Sequence, residues 1–89
     1  MGNNTQITGK EELTATVDLA ALPKGADGRV VSVHGDGAVA RRLMEMGVVP
    51  GATVRMVKSA PFGDPLEIRV RGYSLALRKN EASSVEVCI

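Results

Sequence analysis

The stretch 60-APFGDPLEIRVRGYSLALRK-79 decides how the remainder of the chain folds. Leu66, Ile68 and Val70 alternate with Glu67, Arg69 and Arg71, which is the two-residue period of a strand with one buried face. Gly72-Tyr73 follows, and a Gly-X pair suits a type II′ hairpin loop, because glycine adopts the positive φ of its first position. Such a loop pairs Val70 with Leu75, Ile68 with Leu77 and Glu67 with Arg78, so apolar pairs share one face and charges the other. A slip of one residue would mix the two faces. Upstream, Ala60-Pro61-Phe62-Gly63 predicts a type I turn with Pro second and Gly fourth. Asp64, pushed extended by Pro65, leads into the first strand.

Working outward, TVRMVKS over residues 53–59 predicts a strand with Val54 and Met56 on one face. Ala38–Met46 is the one good helix, since Ala40, Leu43, Met44 and Gly47 recur at helical spacing while Arg41, Arg42 and Glu45 take the other side. Asp36 is its expected cap and Gly47 its left-handed end. RVVSVH over 29–34 predicts a strand with Val31 and Val33 on one face and Val30 on the other. A short strand and a turn fit 15–22, a brief turn fits 80–83, and Val85, Val87 and Ile89 alternate along a last strand. Five or six short strands with one short helix predict a mainly β fold, a small SH3-like barrel with an inserted helix, because closure removes exposed edges.

Eighty-nine residues make one domain, here 15–89. The polar, aperiodic residues 1–14 are expected to be a mobile tail. Eleven basic against ten acidic side chains leave a net charge of +1, which is no footprint for nucleic acid or an anionic membrane. One cysteine, Cys88, excludes an internal disulfide framework and suits a reducing compartment. The apolar runs are too short to span a bilayer, so a cytoplasmic location is expected.

With these pieces placed, residues 17–89 resemble the FeoA family, small proteins of bacterial ferrous iron uptake. The resemblance rests on Leu19 and Leu22 before Gly25 and Gly28, Arg42-Leu43 with Met46-Gly47, Pro50-Gly51, Ala60-Pro61 with Gly63-Asp64-Pro65, Gly72, Leu77-Arg78 and Glu81-Ala82, in that order. It implies an SH3-like fold and a partner, the cytoplasmic part of the membrane GTPase transporter FeoB, with any link to the membrane made through FeoB. Self-association is a further expectation. FeoA-like domains also resemble the C-terminal barrel of DtxR-type metal-dependent repressors, so a metal-responsive interaction domain is the alternative. No helix-turn-helix precedes the barrel, which argues against a complete repressor.

The chemistry is sparse. A borderline metal wants several converging His or Cys ligands, and the chain has one of each, His34 and Cys88, far apart. No resident metal or cofactor is therefore expected, although the family resemblance implies a link to transition metals. His34 is the only imidazole and no Ser or Cys motif points at it. GDGAVAR lacks the Lys-Ser/Thr of a phosphate loop, so an enzyme is not expected. Binding residues remain. Arg41 and Arg42 beside Leu43, Met44 and Met46 combine a charged rim with adaptable apolar anchors on a helix. Phe62, at a loop tip, is either folded back on the barrel or offered to a partner. Arg41, Arg42, Leu43, Met44, Met46 and Phe62 are the candidate partner-binding residues, while Glu67, Arg69, Arg71 and Arg78 read as a solvated, partly self-paired face.

Overall fold

The computed structural model describes residues 15–35 and 37–89, so the expected tail and the expected Asp36 cap lie outside the described residues. Six strands, β1 (Thr16–Asp18), β2 (Asp27–Val33), β3 (Thr53–Ser59), β4 (Leu66–Val70), β5 (Tyr73–Leu77) and β6 (Val85–Cys88), form one antiparallel sheet in the order β1-β6-β2-β3-β4-β5. Helix α1 (Gly37–Glu45) joins β2 to β3, and the four-residue α2 (Lys79–Ala82) occupies the brief turn expected before the last strand. The expected mainly β, SH3-like architecture is what the chain adopts. The sheet bends around Leu19, Leu43, Val48, Val54, Ile68, Val70, Leu77, Val85 and Val87, all at most 1% exposed. Each such side chain contributes about 1.5–3 kcal/mol by leaving water. Among the described residues no ladder joins β1 to β5, so the ring is not closed by hydrogen bonds.

The β4–β5 hairpin differs from expectation in one respect. Val70 pairs with Tyr73, Ile68 with Leu75 and Leu66 with Leu77, so the two-residue loop is Arg71-Gly72 rather than Gly72-Tyr73. Both loop residues have positive φ, 54° and 85°, which is the type I′ geometry that matches the right-handed twist of the flanking strands. The pairing is displaced by two positions, an even number, so the inward row is unchanged. Glu67 consequently faces Ala76 and reaches Lys58 instead of Arg78.

Three other local readings are corrected. In β2 a bulge between Val30 and Ser32 inserts an extra residue, so Val31 turns outward at 45% exposure while Val30 is buried and Val33 packs on the core. In α1 the buried stripe is Val39, Leu43 and Met46, with Met44 exposed. The cause is the helix end: Gly47, at φ 100°, closes a Schellman motif in which the Val48 N–H donates to the Leu43 carbonyl at 3.0 Å and the Gly47 N–H to Met44 at 3.1 Å. That motif drives Val48 into the core. The Ala60–Gly63 turn, closed by Gly63 N–H to the Ala60 carbonyl at 2.8 Å, has Phe62 at φ 72°, ψ 7°, the third-position geometry of type II, not type I.

The corrected loop makes a test. Arg71 bears the cost of the left-handed region, which Asn tolerates better. Arg71→Asn is expected to stabilise the fold by about 0.5–1 kcal/mol, read as a rise in Tm of roughly 2–8 °C. Were residue 71 part of the strand, Asn there would lower the Tm instead.

Candidate functional site

The site builds from the turn between β3 and β4. Phe62 is wholly exposed at its tip, so the alternative of folding back on the barrel is excluded. The turn is braced at its base, where the Ala60 N–H donates to the Pro65 carbonyl at 2.9 Å. Asp64 Oδ1 accepts the Lys79 N–H at 3.0 Å, and Glu81 Oε1 accepts the Arg78 N–H at 2.9 Å, so two carboxylates satisfy free amides at the start of α2. Two shallow grooves lie behind the turn. One, of about 460 Å³, has Arg42, Asp64, Arg78 and Glu81 on its walls. The other, of about 360 Å³, runs past Lys58, Pro61, Leu66 and Glu67. Pro65 and Ala76 line both.

This surface brings together Arg42 from α1 and the 60–65 turn, two parts of the candidate set that are distant in sequence. Arg42 is ion-paired with Glu81 across the first groove. Lys58 Nζ lies 3.8 Å from Glu67 Oε1 along the second. Both cations are more than half exposed, so these pairs orient side chains more than they stabilise the fold. The remaining candidates separate. Arg41 is exposed, and Met44 is 41% exposed. Met46 is half-buried against the core, and its carbonyl accepts the Tyr73 hydroxyl. Leu43 is corrected: at 0% exposure it is a core residue and cannot touch a partner while the domain is folded. Leu43 belongs to the apolar stripe in the sequence reading and in the structure alike, and a side chain on that inward face cannot also serve as an outward anchor.

Arg69, read as part of a solvated face, stands directly opposite Arg55 on β3. Arg55 in turn is held by Asp27, with Nε at 2.7 Å and an Nη at 3.2 Å from its two carboxylate oxygens. This hydrogen bond keeps the Asp27 carboxyl below and the Arg55 guanidinium above their ordinary pKa values. The Asp27–Arg55 pairing becomes visible only with the β2–β3 register, in which those residues are opposite.

His34 and Cys88 do not converge on a metal centre. Among the described residues no group of three or more His, Cys, Asp or Glu side chains could hold a metal ion. His34 joins a polar cluster instead, with Nε2 at 2.9 Å from Ser32 Oγ and 3.7 Å from Glu86 Oε1. The composition is that of a hydrolytic triad, but the arrangement differs. Ser32 Oγ and Glu86 Oε1 approach the same imidazole nitrogen, Nε2, whereas a triad carboxylate holds the base through the nitrogen that does not face the hydroxyl. Glu86 was not among the residues singled out from sequence; the β2–β6 ladder puts it opposite Ser32.

A bent six-stranded antiparallel sheet with an inserted helix and surface grooves defines a small SH3-like domain. The FeoA domain model matches residues 17–88, and the chain belongs to the FeoA family. A relative from Porphyromonas gingivalis (strain ATCC BAA-308 / W83), an Fe(2+) transport protein A/Fe(2+) transporter FeoB fusion protein, is 38% identical over 69 residues. That match covers 78% of this chain, and the chain spans only 8% of the fusion protein's length. The crystal structure of Stenotrophomonas maltophilia FeoA complexed with zinc, described as a procaryotic SH3 domain protein, is 44% identical with a TM-score of 0.69, covering 78% of this chain and 86% of that one. A manganese-dependent transcriptional repressor superposes with a TM-score of 0.77 over 84% of this chain and 42% of its own, but at 17% identity that likeness shows the fold alone. Ferrous iron transport is the role that the fusion relative's name carries. Among the described residues no helix is long and apolar enough to cross a membrane.

The Glu86 cluster makes a pH prediction. Hydrogen bonds from Thr16, then Ser32, hold the Glu86 carboxyl below its ordinary value, against partial desolvation. A carboxyl depressed in the folded state stabilises the fold above its unfolded pKa, and that stability is lost as the pH falls through the folded value. Wild-type Tm is therefore expected to drop as the pH falls below 4.5, the ordinary glutamate value, and Glu86→Gln to flatten that decline. Identical acid limbs in melting curves of wild type and variant would show that Glu86 carries none of it.

Proposed function

We propose that this chain is a non-catalytic, cytoplasmic accessory module that binds the cytoplasmic part of FeoB and alters iron uptake or nucleotide turnover by contact, with the Phe62 turn as its anchor. The observation that carries the reading is the fusion relative, in which a homologous segment and FeoB share one polypeptide. Fusion turns a two-body encounter into an intramolecular one at high effective concentration, an arrangement that helps modules which act on each other. Contact is also the kind of function the surface supports. A wholly exposed Phe62 contributes nothing to the fold's own burial, and an aromatic anchor with cations at its rim is how binding surfaces are built. Arg42 and Lys58 supply the rim, and the two grooves supply concave surface beside the anchor. The alternative of a metal-responsive regulatory domain is supported by the shared fold of the repressors and by the zinc complex of the Stenotrophomonas maltophilia FeoA.

Calorimetry with the cytoplasmic part of FeoB from the same organism tests this. Wild type is expected to bind, and Phe62→Asp to bind at least about tenfold more weakly, a loss of roughly 1.4 kcal/mol. Its chemical shifts should remain native, because Phe62 has no packing to lose. Met44→Asp tests the exposed part of α1, and Leu43→Asp serves only as an unfolded control. Normal binding by Phe62→Asp with loss in Met44→Asp would move the anchor to the helix. No binding by wild type would remove the accessory reading.

A further inference from the structure

We propose that the free edge of β5 is a strand-addition site that takes an extended, acidic segment of the partner as a seventh strand. The inference deepens the accessory reading above and rests on it for the partner's identity. Its ground is the hairpin register. A two-residue loop makes Val70 and Tyr73 the hydrogen-bonded closing pair, so Ile68 with Leu75 and Leu66 with Leu77 are bonded pairs as well. Ser74 and Ala76 then direct both backbone groups away from β4, and among the described residues no other backbone contact takes them. Both residues are exposed.

Edge strands normally carry devices against such pairing: a charge, a proline, a bulge or very short length. At the opposite edge β1 has three residues and ends on Asp18. β5 reads YSLAL, five residues without charge or proline, and the bulges of the sheet fall in the β2–β6 and β3–β4 ladders. Ala76 also lines both grooves, so the exposed edge at this residue adjoins concave surface. Main-chain bonds of this kind supply affinity, and flanking side chains supply selectivity.

Charge selects an acidic occupant. Arg69 sits across from Ser74, Arg71 is in the hairpin loop, and Arg78 follows β5 directly. None of the three forms an ion pair among the described residues. The nearby carboxylates are engaged elsewhere, Asp64 by the Lys79 amide, Glu67 by Lys58 and Glu81 by Arg42. An incoming strand with acidic side chains would meet the unpaired Arg69 and Arg78 guanidinium groups, whereas Arg71 is turned toward Gly47 at the end of α1.

Amide hydrogen exchange by NMR, on the full chain with and without the cytoplasmic part of FeoB, tests the site. The Ser74 and Ala76 amides are expected to exchange at least about tenfold more slowly in the complex, while the already bonded Leu75 amide changes little. Ala76→Pro deletes the outward N–H without touching the β4 ladder and is expected to weaken binding at least about tenfold. Ser74→Ala, which keeps its amide, should bind like wild type, and the Arg69→Glu/Arg78→Glu double variant should bind more weakly than either single change. Should Ala76→Pro fail to fold, exchange on the wild type decides. Binding with Ser74 and Ala76 exchanging as in the free chain overturns the strand-addition site and leaves the accessory reading intact. Absence of any binding overturns the accessory reading, and this inference with it. Protection that rises with protein concentration in the absence of FeoB, with doubled sedimentation mass, means that a second copy occupies the edge and overturns the acidic partner segment.

Discussion

The Arg71-Gly72 turn is the constraint from which most of the structure follows. Two consecutive residues at positive φ fix a type I′ loop, and the loop fixes which residues of β4 and β5 share a face. Leu66, Ile68, Val70 and Leu77 then point inward together, and β3 adds Val54 and Met56 to the same side. The tip also reaches α1. The Tyr73 hydroxyl, one residue past the loop, bonds the Met46 carbonyl, and the Arg71 side chain lies against Gly47, where a Cβ would meet Arg71 Cδ at 3.0 Å. Gly47 is thus required twice, for its left-handed φ in the Schellman motif and for the close approach of Arg71. Hairpin tip and helix end thus touch each other, beside the buried Leu43 and Val48.

Parity is what the sequence makes legible. The alternation across 66–70 survives any register displaced by an even number, so the inward row was readable although the loop was assigned to the wrong pair. Gly72 is glycine in both readings; the difference lies in whether Arg71 or Tyr73 shares the loop with it, and residue type favours neither. Arg71 takes the left-handed region because the twist of the paired strands rewards a type I′ loop, an energy of the sheet rather than of the residue. The same limit appears at Val31, where the bulge depends on how β2 meets β6. It appears again at Met44, which loses its core place to Met46 once the Gly47 motif sets the helix end. The candidate surface was legible in its separate pieces, Arg42 and Phe62. Its assembly was not, because Glu81, Pro65 and Ala76 meet only through tertiary folding.

A net charge of +1 describes the chain poorly as a surface. The carboxylates of Asp27, Asp64, Glu67, Glu81 and Glu86 are each engaged within the domain, as partners of guanidinium or ammonium groups, backbone amides or hydroxyls. Their work is local structure: Asp64 and Glu81 satisfy amides at the start of α2, and Asp27 holds β2 against β3. Several arginines have no such task. A composition balanced on average therefore yields a surface on which these five carboxylates are committed and part of the basic charge is free. Overall neutrality argues against nucleic acid, whose affinity grows with the number of phosphates neutralised. It does not argue against a short acidic protein segment, which needs only a few cations held in place around a scaffold of directed backbone groups.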